Sequence, residues 1–368
     1  MDEYNKLSEL IKNKSILYIP IYSCFDYQTG NLNFKADGNI NRFLSTFMCC
    51  NVYSKLDILT PDKGNDKEWF DNICKTYLRN CTLISCPLIV KSAKVERSIK
   101  FSYDILEFLK TNNIDINSYN YIICEAQHVF LRLYNMVSYN LFLRSYDIGI
   151  QDKLIYWCPV CATDNKTRDF LEPYKEIDKF IFSIANNVIV ASKDQVDFYH
   201  KNNFSGNLIQ IESLINRNLP FFDYKENQEI INLFNKYKDV NKFYFPFRLT
   251  DKGYQTQEII DYLYSTEYKS NRTFKVFYSN PNECDIYQFA NNDSYKKLWI
   301  DNNFIKVSKD RETYYTIIDK CNVIIPYFED LDFIRHAAID EFKYGNCIVV
   351  NSLEEFKKLK QNNIKYGK

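Results

Sequence analysis

Short, unbroken apolar runs recur along the chain, and they constrain its fold more than any other feature. SILYIPIYS (15–23), LDILTP (56–61), CTLISCPLIV (81–90), NYIICEA (120–126), KLIYWCPV (153–160), NNVIVAS (186–192) and SGNLIQIES (205–213) each read as a strand. A strand with one wet face alternates apolar and polar residues. A continuous run is buried on both faces, the mark of a mostly parallel sheet covered by helices. Helical spacing fills the gaps: 39–55 has Ile40, Phe43, Leu44 and Phe47 on one stripe, and 97–112 reads the same way. At 215–229, INRNLPFFDYKENQE gathers a proline, charges and turn formers, which places a domain boundary near residue 222. The plan then repeats. KFYFPFRL (242–249), FKVFYSN (274–280), CNVIIPYF (321–328) and CIVVNS (347–352) read as strands, with helices over QTQEIIDYLYSTEY, DSYKKLWIDN and 333–345, and from Leu353 onward. The expectation is an α/β chain of two doubly wound domains, 1–222 and 223–368.

Length agrees, since 368 residues fit two domains of ordinary size. The 47 basic and 47 acidic residues cancel, which weighs against a long nucleic-acid footprint. Twelve cysteines fall at irregular spacings, several inside apolar runs, and read as small buried hydrophobes rather than a disulfide framework. The opening MDEYNKLSELIKNK is charged and amphipathic, unlike a secretory signal, and no apolar run reaches the ~20 residues of a membrane helix. The expected setting is the reducing cytoplasm, without a membrane partner. Lys, Asn, Ile, Tyr and Phe dominate while Gly numbers 8, a bias of AT-rich genomes such as those of phages and low-GC bacteria. No P-loop, GxGxxG or GxSxG motif is present, which disfavours a tightly held dinucleotide and an α/β-hydrolase.

Two segments of the second half carry chemistry. The strand at 242–249 runs into Arg248 and then Lys252, two cations where a helix is expected to begin. That position favours anions through free backbone N–H groups, and a guanidinium clamps phosphate with two hydrogen bonds. The bland alternative is a solvated loop. The second segment, 322–350, is a strand, an acidic loop, a helix, a glycine stop and a strand. Asp340 and Glu341 precede Gly345 by about one turn, where a carboxylate accepts both hydroxyls of a ribose, and Arg335 and His336 lie near the helix start, where a diphosphate is stabilised. The alternative is the polar face of an amphipathic helix.

This half resembles the nucleotide-sugar domain of the GT-B glycosyltransferases, marked by a helix with an acidic residue, a small stop and a short apolar strand, as in DEFKYGNCIVV. Its motif layout is most similar to the DNA glucosyltransferases of T-even phages. FPFRLTDK matches their strand, Phe-Arg and second cation four positions on, and Phe333-Ile334 with Asp340 match the start of their ribose-binding helix and its acidic residue seven positions later. Asp340 replaces that family's Glu, with Glu341 adjacent, so either holds the ribose; Ala337 replaces its phosphate-binding Arg, leaving Arg335 or His336 to substitute. The resemblance covers 242–352. It implies two Rossmann-like domains facing each other across a cleft, a nucleotide-sugar donor with UDP foremost, and a hydroxymethylated pyrimidine in double-stranded DNA as acceptor, with a glycan or protein acceptor as the rival. No cofactor is required, and a divalent metal is optional because the cations neutralise the diphosphate.

The first half then supplies the acceptor site. Inverting transfer needs a base beside the acceptor hydroxyl. Asp164 follows the strand at 153–160 in a Thr163-Asp164 pair, similar to that of the phage enzymes but a few residues further along; Asp169 is a second candidate, and both also suit a helix cap. Glu125 and His128 follow the strand at 120–126, where a His of many GT-B enzymes faces the sugar; a polar helix start is the alternative. The loop from Asp26 to Gly38 is placed to cover the donor, with Gly30 and Gly38 at tight turns. Cys158-Pro-Val-Cys161 has the spacing of a redox pair or half a zinc site, but no second pair stands near it, and buried thiols are the preferred reading. The chain stops soon after its last helix, where many GT-B enzymes continue into a helix that crosses back, which implies truncation or a different mode of closure. Two rival functions remain: a nucleotide- or DNA-binding protein without chemistry, and an epimerase of the same plan.

Overall fold

The computed structural model describes residues 4–20, 32–35, 38–87, 98–125, 149–158, 185–190, 193–211, 219–220, 224–245, 258, 261–263, 265, 274–279, 303–308, 310–324, 348–350 and 352–359. The chain divides into two compact units, Met1–Phe221 with Asp332–Ala337, and Phe222–Leu331 with Ala338–Lys368.

In the first unit the strands are β1 (Ser15–Ile19), β2 (Leu32–Asn33), β3 (Lys55–Thr60), β4 (Gly64–Asn65), β5 (Cys81–Ser85), β6 (Tyr121–Glu125), β7 (Leu154–Cys158), β8 (Asn187–Val190) and β9 (Asn207–Gln210). Seven form one sheet in the order β5-β3-β1-β6-β7-β8-β9, and every pairing is parallel. Counted within the sheet the order is 3-2-1-4-5-6-7, the doubly wound arrangement. The chain builds outward from β1 on one side, then returns to the other side of β1 at β6. β2 and β4 form a separate parallel pair.

The helices are α1 (Asn5–Ile11), α2 (Gly38–Cys49), α3 (Lys67–Tyr77), α4 (Ser98–Thr111) and α5 (Lys193–Lys201). The stripe of Ile40, Phe43, Leu44 and Phe47 on α2 is fully buried. It meets the sheet edge-on through Tyr18, whose ring lies 5.1 Å from Phe43 and 5.0 Å from Phe47. Aromatic pairs in this geometry add to the area they bury. At the amino edge of the sheet, Asp57 of β3 is buried and accepts from the Tyr119 hydroxyl and the Lys55 ammonium. Burial, then the bond to Asp57 and its charge, push the Tyr119 hydroxyl well above its ordinary pKa.

The second unit repeats the winding with β10 (Asn241–Phe245), β11 (Phe274–Ser279), β12 (Phe304–Val307), β13 (Val323–Ile324) and β14 (Ile348–Val349), and with α6 (Gln228–Lys236), α7 (Arg311–Lys320) and α8 (Leu353–Leu359). Its order is β12-β11-β10-β13-β14, again wholly parallel, or 3-2-1-4-5. Asn322 fixes the register at the amino edge, accepting from the Lys242 amide at 3.0 Å while its own amide donates to the Lys242 carbonyl at 3.2 Å. Helix ends are tied by polar side chains. The Asn227 side chain caps α6 by accepting from the amides of Glu229 and Ile230 and donates to the Thr313 hydroxyl of α7 at 2.7 Å, while the Asn227 backbone amide donates to the Thr316 hydroxyl at 2.8 Å. Asp310 caps α7, accepting from the amide and hydroxyl of Thr313.

The expected fold class is present, with corrections of detail. The strand at 56–61 begins one residue earlier, and the one at 81–90 stops at Ser85, before Cys86-Pro87. The helix at 39–55 ends at Cys49, because the chain turns at Cys50–Val52 to enter β3. Gly38 opens α2 instead of making a tight turn. α6 begins inside the stretch read as a break, and β12, α3, α5 and α7 had no expected counterpart.

Candidate functional site

In a doubly wound sheet a crevice opens where the strand order reverses, outside the carboxyl ends of the strands. In the first unit that point lies between β1 and β6; in the second, between β10 and β13.

The two cation-bearing segments follow in the chain directly after β10 and β13, the strands that flank the second unit's reversal point. β10 ends at Phe245, and Pro246-Phe247-Arg248 follow, with Lys252 four residues on; β13 ends at Ile324, and the acidic loop and the segment with Arg335, His336, Asp340 and Glu341 follow. These six residues themselves lie outside the described residues, and the structure describes only the strands that lead to them.

In the first unit, Glu125 is the last residue of β6 and is in register with Trp157 of β7. It therefore stands at the carboxyl edge, at the reversal point. His128, Asp164 and Asp169 follow β6 and β7 in the chain and lie outside the described residues, as do Asp26, Gly30 and Cys161. Cys158 is the last residue of β7. Cys50, Cys74, Cys86, Cys124 and Cys321 are buried and form no disulfide. Burial raises the Cys50 thiol to about 12 and pushes Cys124 up as well, so neither is a nucleophile at neutral pH. Among the described residues no group of three His, Cys, Asp or Glu is placed to hold a metal ion.

The structure adds residues that the sequence pattern did not single out. Arg42 on α2 is only 7 % exposed, and its guanidinium lies 5.6 Å from the centre of the Trp157 ring. That puts a permanent positive charge near the carboxyl end of β7. Beside it Asn41 is buried, with a side-chain oxygen that meets no hydrogen-bond donor. Both were hidden in the sequence by the apolar stripe of α2, which alone set the helical reading. The signal that reveals them is a polar pair inside a helix buried at every position from Ile40 to Phe47. Asp57 and Tyr119, by contrast, belong to the amino edge and are structural.

The whole chain aligns in space with solved structures at low sequence identity. Sucrose-phosphate synthase from Thermosynechococcus elongatus is 12 % identical and matches with a TM-score of 0.61 over 95 % of this chain and 89 % of its own. The E. coli trehalose-6-phosphate protein bound with UDP-2-fluoro glucose gives 9 %, 0.58, 96 % and 92 %. Anabaena HepE in complex with UDP-glucose gives 10 %, 0.55, 96 % and 90 %. These neighbours are GT-B glycosyltransferases. The fold is theirs. No family model and no curated protein matches the sequence. No helix among the described residues is long and apolar enough to cross a membrane.

Proposed function

We propose that this chain is a glycosyltransferase that takes a UDP-sugar as donor. The observation that carries the reading is the pair of wholly parallel, doubly wound sheets, shared over nearly the full chain with proteins captured holding UDP-glucose or its fluoro analogue. The domain from 223 to 368 holds the donor. Arg248 and Lys252, with Arg335 or His336, neutralise the diphosphate, which gathers negative charge as the bond to the sugar breaks. Asp340 or Glu341 accepts the ribose hydroxyls. These cations supply the charge that a divalent metal otherwise supplies, so transfer proceeds in a chelator.

The domain from 1 to 222 holds the acceptor. Asp164 takes the proton from the acceptor hydroxyl as the oxygen attacks the anomeric carbon, and Glu125 and His128 face the transferred sugar. We assign a hydroxymethylated pyrimidine of double-stranded DNA as acceptor, on the likeness of FPFRLTDK and of Phe333-Ile334 with Asp340 to the phage DNA glucosyltransferases. The buried thiols, none in a disulfide among the described residues, support a reducing, cytoplasmic setting, that of the host for a phage protein.

The test incubates the protein with UDP-, GDP- and ADP-sugars and 5-hydroxymethylcytosine duplex DNA, digests to nucleosides and weighs them. One added hexose or pentose on the base establishes donor, acceptor and reaction together. Binding of a UDP-sugar without DNA modification moves the acceptor to a glycan or protein. An altered sugar on intact UDP identifies an epimerase, and neither binding nor turnover of any donor overturns the reading. Arg248→Ala is expected to abolish transfer in a folded protein, and unchanged turnover removes Arg248 from the site.

A further inference from the structure

The turn from α3 into β5 gathers thiols. Cys74 lies in the last turn of α3 and is fully buried. Cys81 opens β5, the rim strand of the first sheet, and is half-buried. The turn between them is held from both sides. The Leu78 amide closes α3 on the Cys74 carbonyl at 3.0 Å, and Asn80 takes a left-handed φ of 46°. Asn51 accepts from the Arg79 amide at 3.0 Å and donates to the Tyr77 carbonyl at 3.1 Å. The Asn80 side chain donates to the Ser54 carbonyl at 2.8 Å. The backbone that carries both cysteines is therefore fixed.

Their side chains meet: a hydrogen bond joins the Cys74 and Cys81 thiols. Beside them is Tyr53, fully buried, whose hydroxyl is raised by burial and then by the charges of Cys81, Cys74 and Cys50. Cys50 belongs to the same cluster, but its thiol bonds elsewhere, to the Ser8 side chain and to the Tyr4 carbonyl at 3.8 Å. The paired thiols differ in exposure. Burial, and then the bond to Cys81, push the Cys74 thiol well above its ordinary pKa, so it stays protonated, while Cys81 is the one a solute reaches. We propose that Cys74 and Cys81 are a redox pair, converted by glutathione disulfide into a disulfide that staples α3 to the rim strand β5. The Cys81 sulfur attacks one sulfur of glutathione disulfide and releases a glutathione, which carries away the Cys81 proton. The Cys74 sulfur then attacks the Cys81 sulfur and expels the second glutathione, which takes the Cys74 proton. The two cysteines lose two electrons, and the glutathione disulfide gains them.

The experiment incubates the full native chain with glutathione disulfide, alkylates the remaining thiols and digests the unreduced protein with trypsin. Cleavage after Lys75 and Arg79 puts the two cysteines on separate peptides, so their disulfide is weighed as a linked pair. Fragmentation of that pair assigns the sulfur to Cys81 rather than to Cys86 on the same peptide. The Cys74–Cys81 link is expected to exceed every other cysteine pairing by about tenfold or more. Cys81→Ser is expected to abolish the link and leave Cys74 open only to alkylation after unfolding. Cys74→Ala is expected to leave Cys81 as a mixed disulfide with glutathione. Circular dichroism identifies any variant that has not folded, and Cys81→Ser, at the sheet rim, decides the matter if Cys74→Ala has not. A dominant link between other cysteines overturns the proposal. So does a parent in which Cys81 carries glutathione while Cys74 is still a thiol, or in which neither cysteine is modified.

Discussion

The two units wind their sheets in the same order but hold them differently. In the first, α2 presses Phe43 and Phe47 against Tyr18 and Trp157, so large rings carry the packing. In the second, rings also pack, as Phe234 does on Phe277 at 4.8 Å, and polar ties between helix ends are added, with Asn227 joined to Thr313 and Thr316 and Asp310 joined to Thr313. Apolar packing tolerates the loss of one hydrogen bond but not of a ring; a cap network behaves the other way round. The second unit therefore adds a helix-cap network to the ring packing that both share, and loss of a cap is expected to be felt there.

Substitutions test this contrast directly. Trp157→Ala removes the largest buried side chain of the first unit and is expected to destabilise it by about 3–5 kcal/mol, seen as faster hydrogen exchange in β1, β6 and β7 with β10 and β11 unchanged. Equal loss in both sheets would show that the units do not unfold separately. Asp57→Ala leaves the Tyr119 hydroxyl buried without its acceptor and is expected to cost about 1–3 kcal/mol in the first unit, measured by denaturant unfolding. Asn227→Ala is expected to cost about 1 kcal/mol, confined to the second unit.

Asp310 gives the pH dependence. Burial pushes its carboxyl up, but bonds from Ser308 and from the amide and hydroxyl of Thr313 outweigh burial and hold it below its ordinary value. A group lowered on folding stabilises the fold above its unfolded pKa of about 3.9 and loses that contribution as pH falls through the folded value. Asp310→Asn is therefore expected to flatten the second unit's loss of stability below about pH 4 in acid titrations followed by circular dichroism. The smallest effect is at the exposed Glu354–Lys358 pair, where Glu354→Gln is expected to leave the melting temperature unchanged.

The parallel sheets were legible because burial on both faces leaves a continuous apolar run, as in ILYI of β1 or LIYWC of β7. β12 escaped because FIKV carries a lysine and is short. α7 escaped because its buried positions include Arg311, Thr313 and Thr316, which no apolar periodicity registers. Long-range polar ties cannot be read from a sequence at all: Asp57 and Tyr119 are 62 residues apart, and Asn227 and Thr316 are 89 apart. Of the candidate site, the sequence marked the strand ends, and the structure places Glu125 at one of them. It did not mark Arg42, because a cation on a helix is ordinarily a surface residue and only the packing shows this one to be buried.

The strand order also fixes a timetable. As the chain emerges from the ribosome, β1, β3 and β5 are available first and can assemble into half a sheet. The flank of β1 that later receives β6 stays bare until Tyr121–Glu125 has been made, and β10 likewise waits for Val323–Ile324. Domains form as units during synthesis, N-terminal first. Each crevice therefore comes into being only when the fourth strand of its sheet arrives, and the nascent chain must shield an apolar strand edge for that interval.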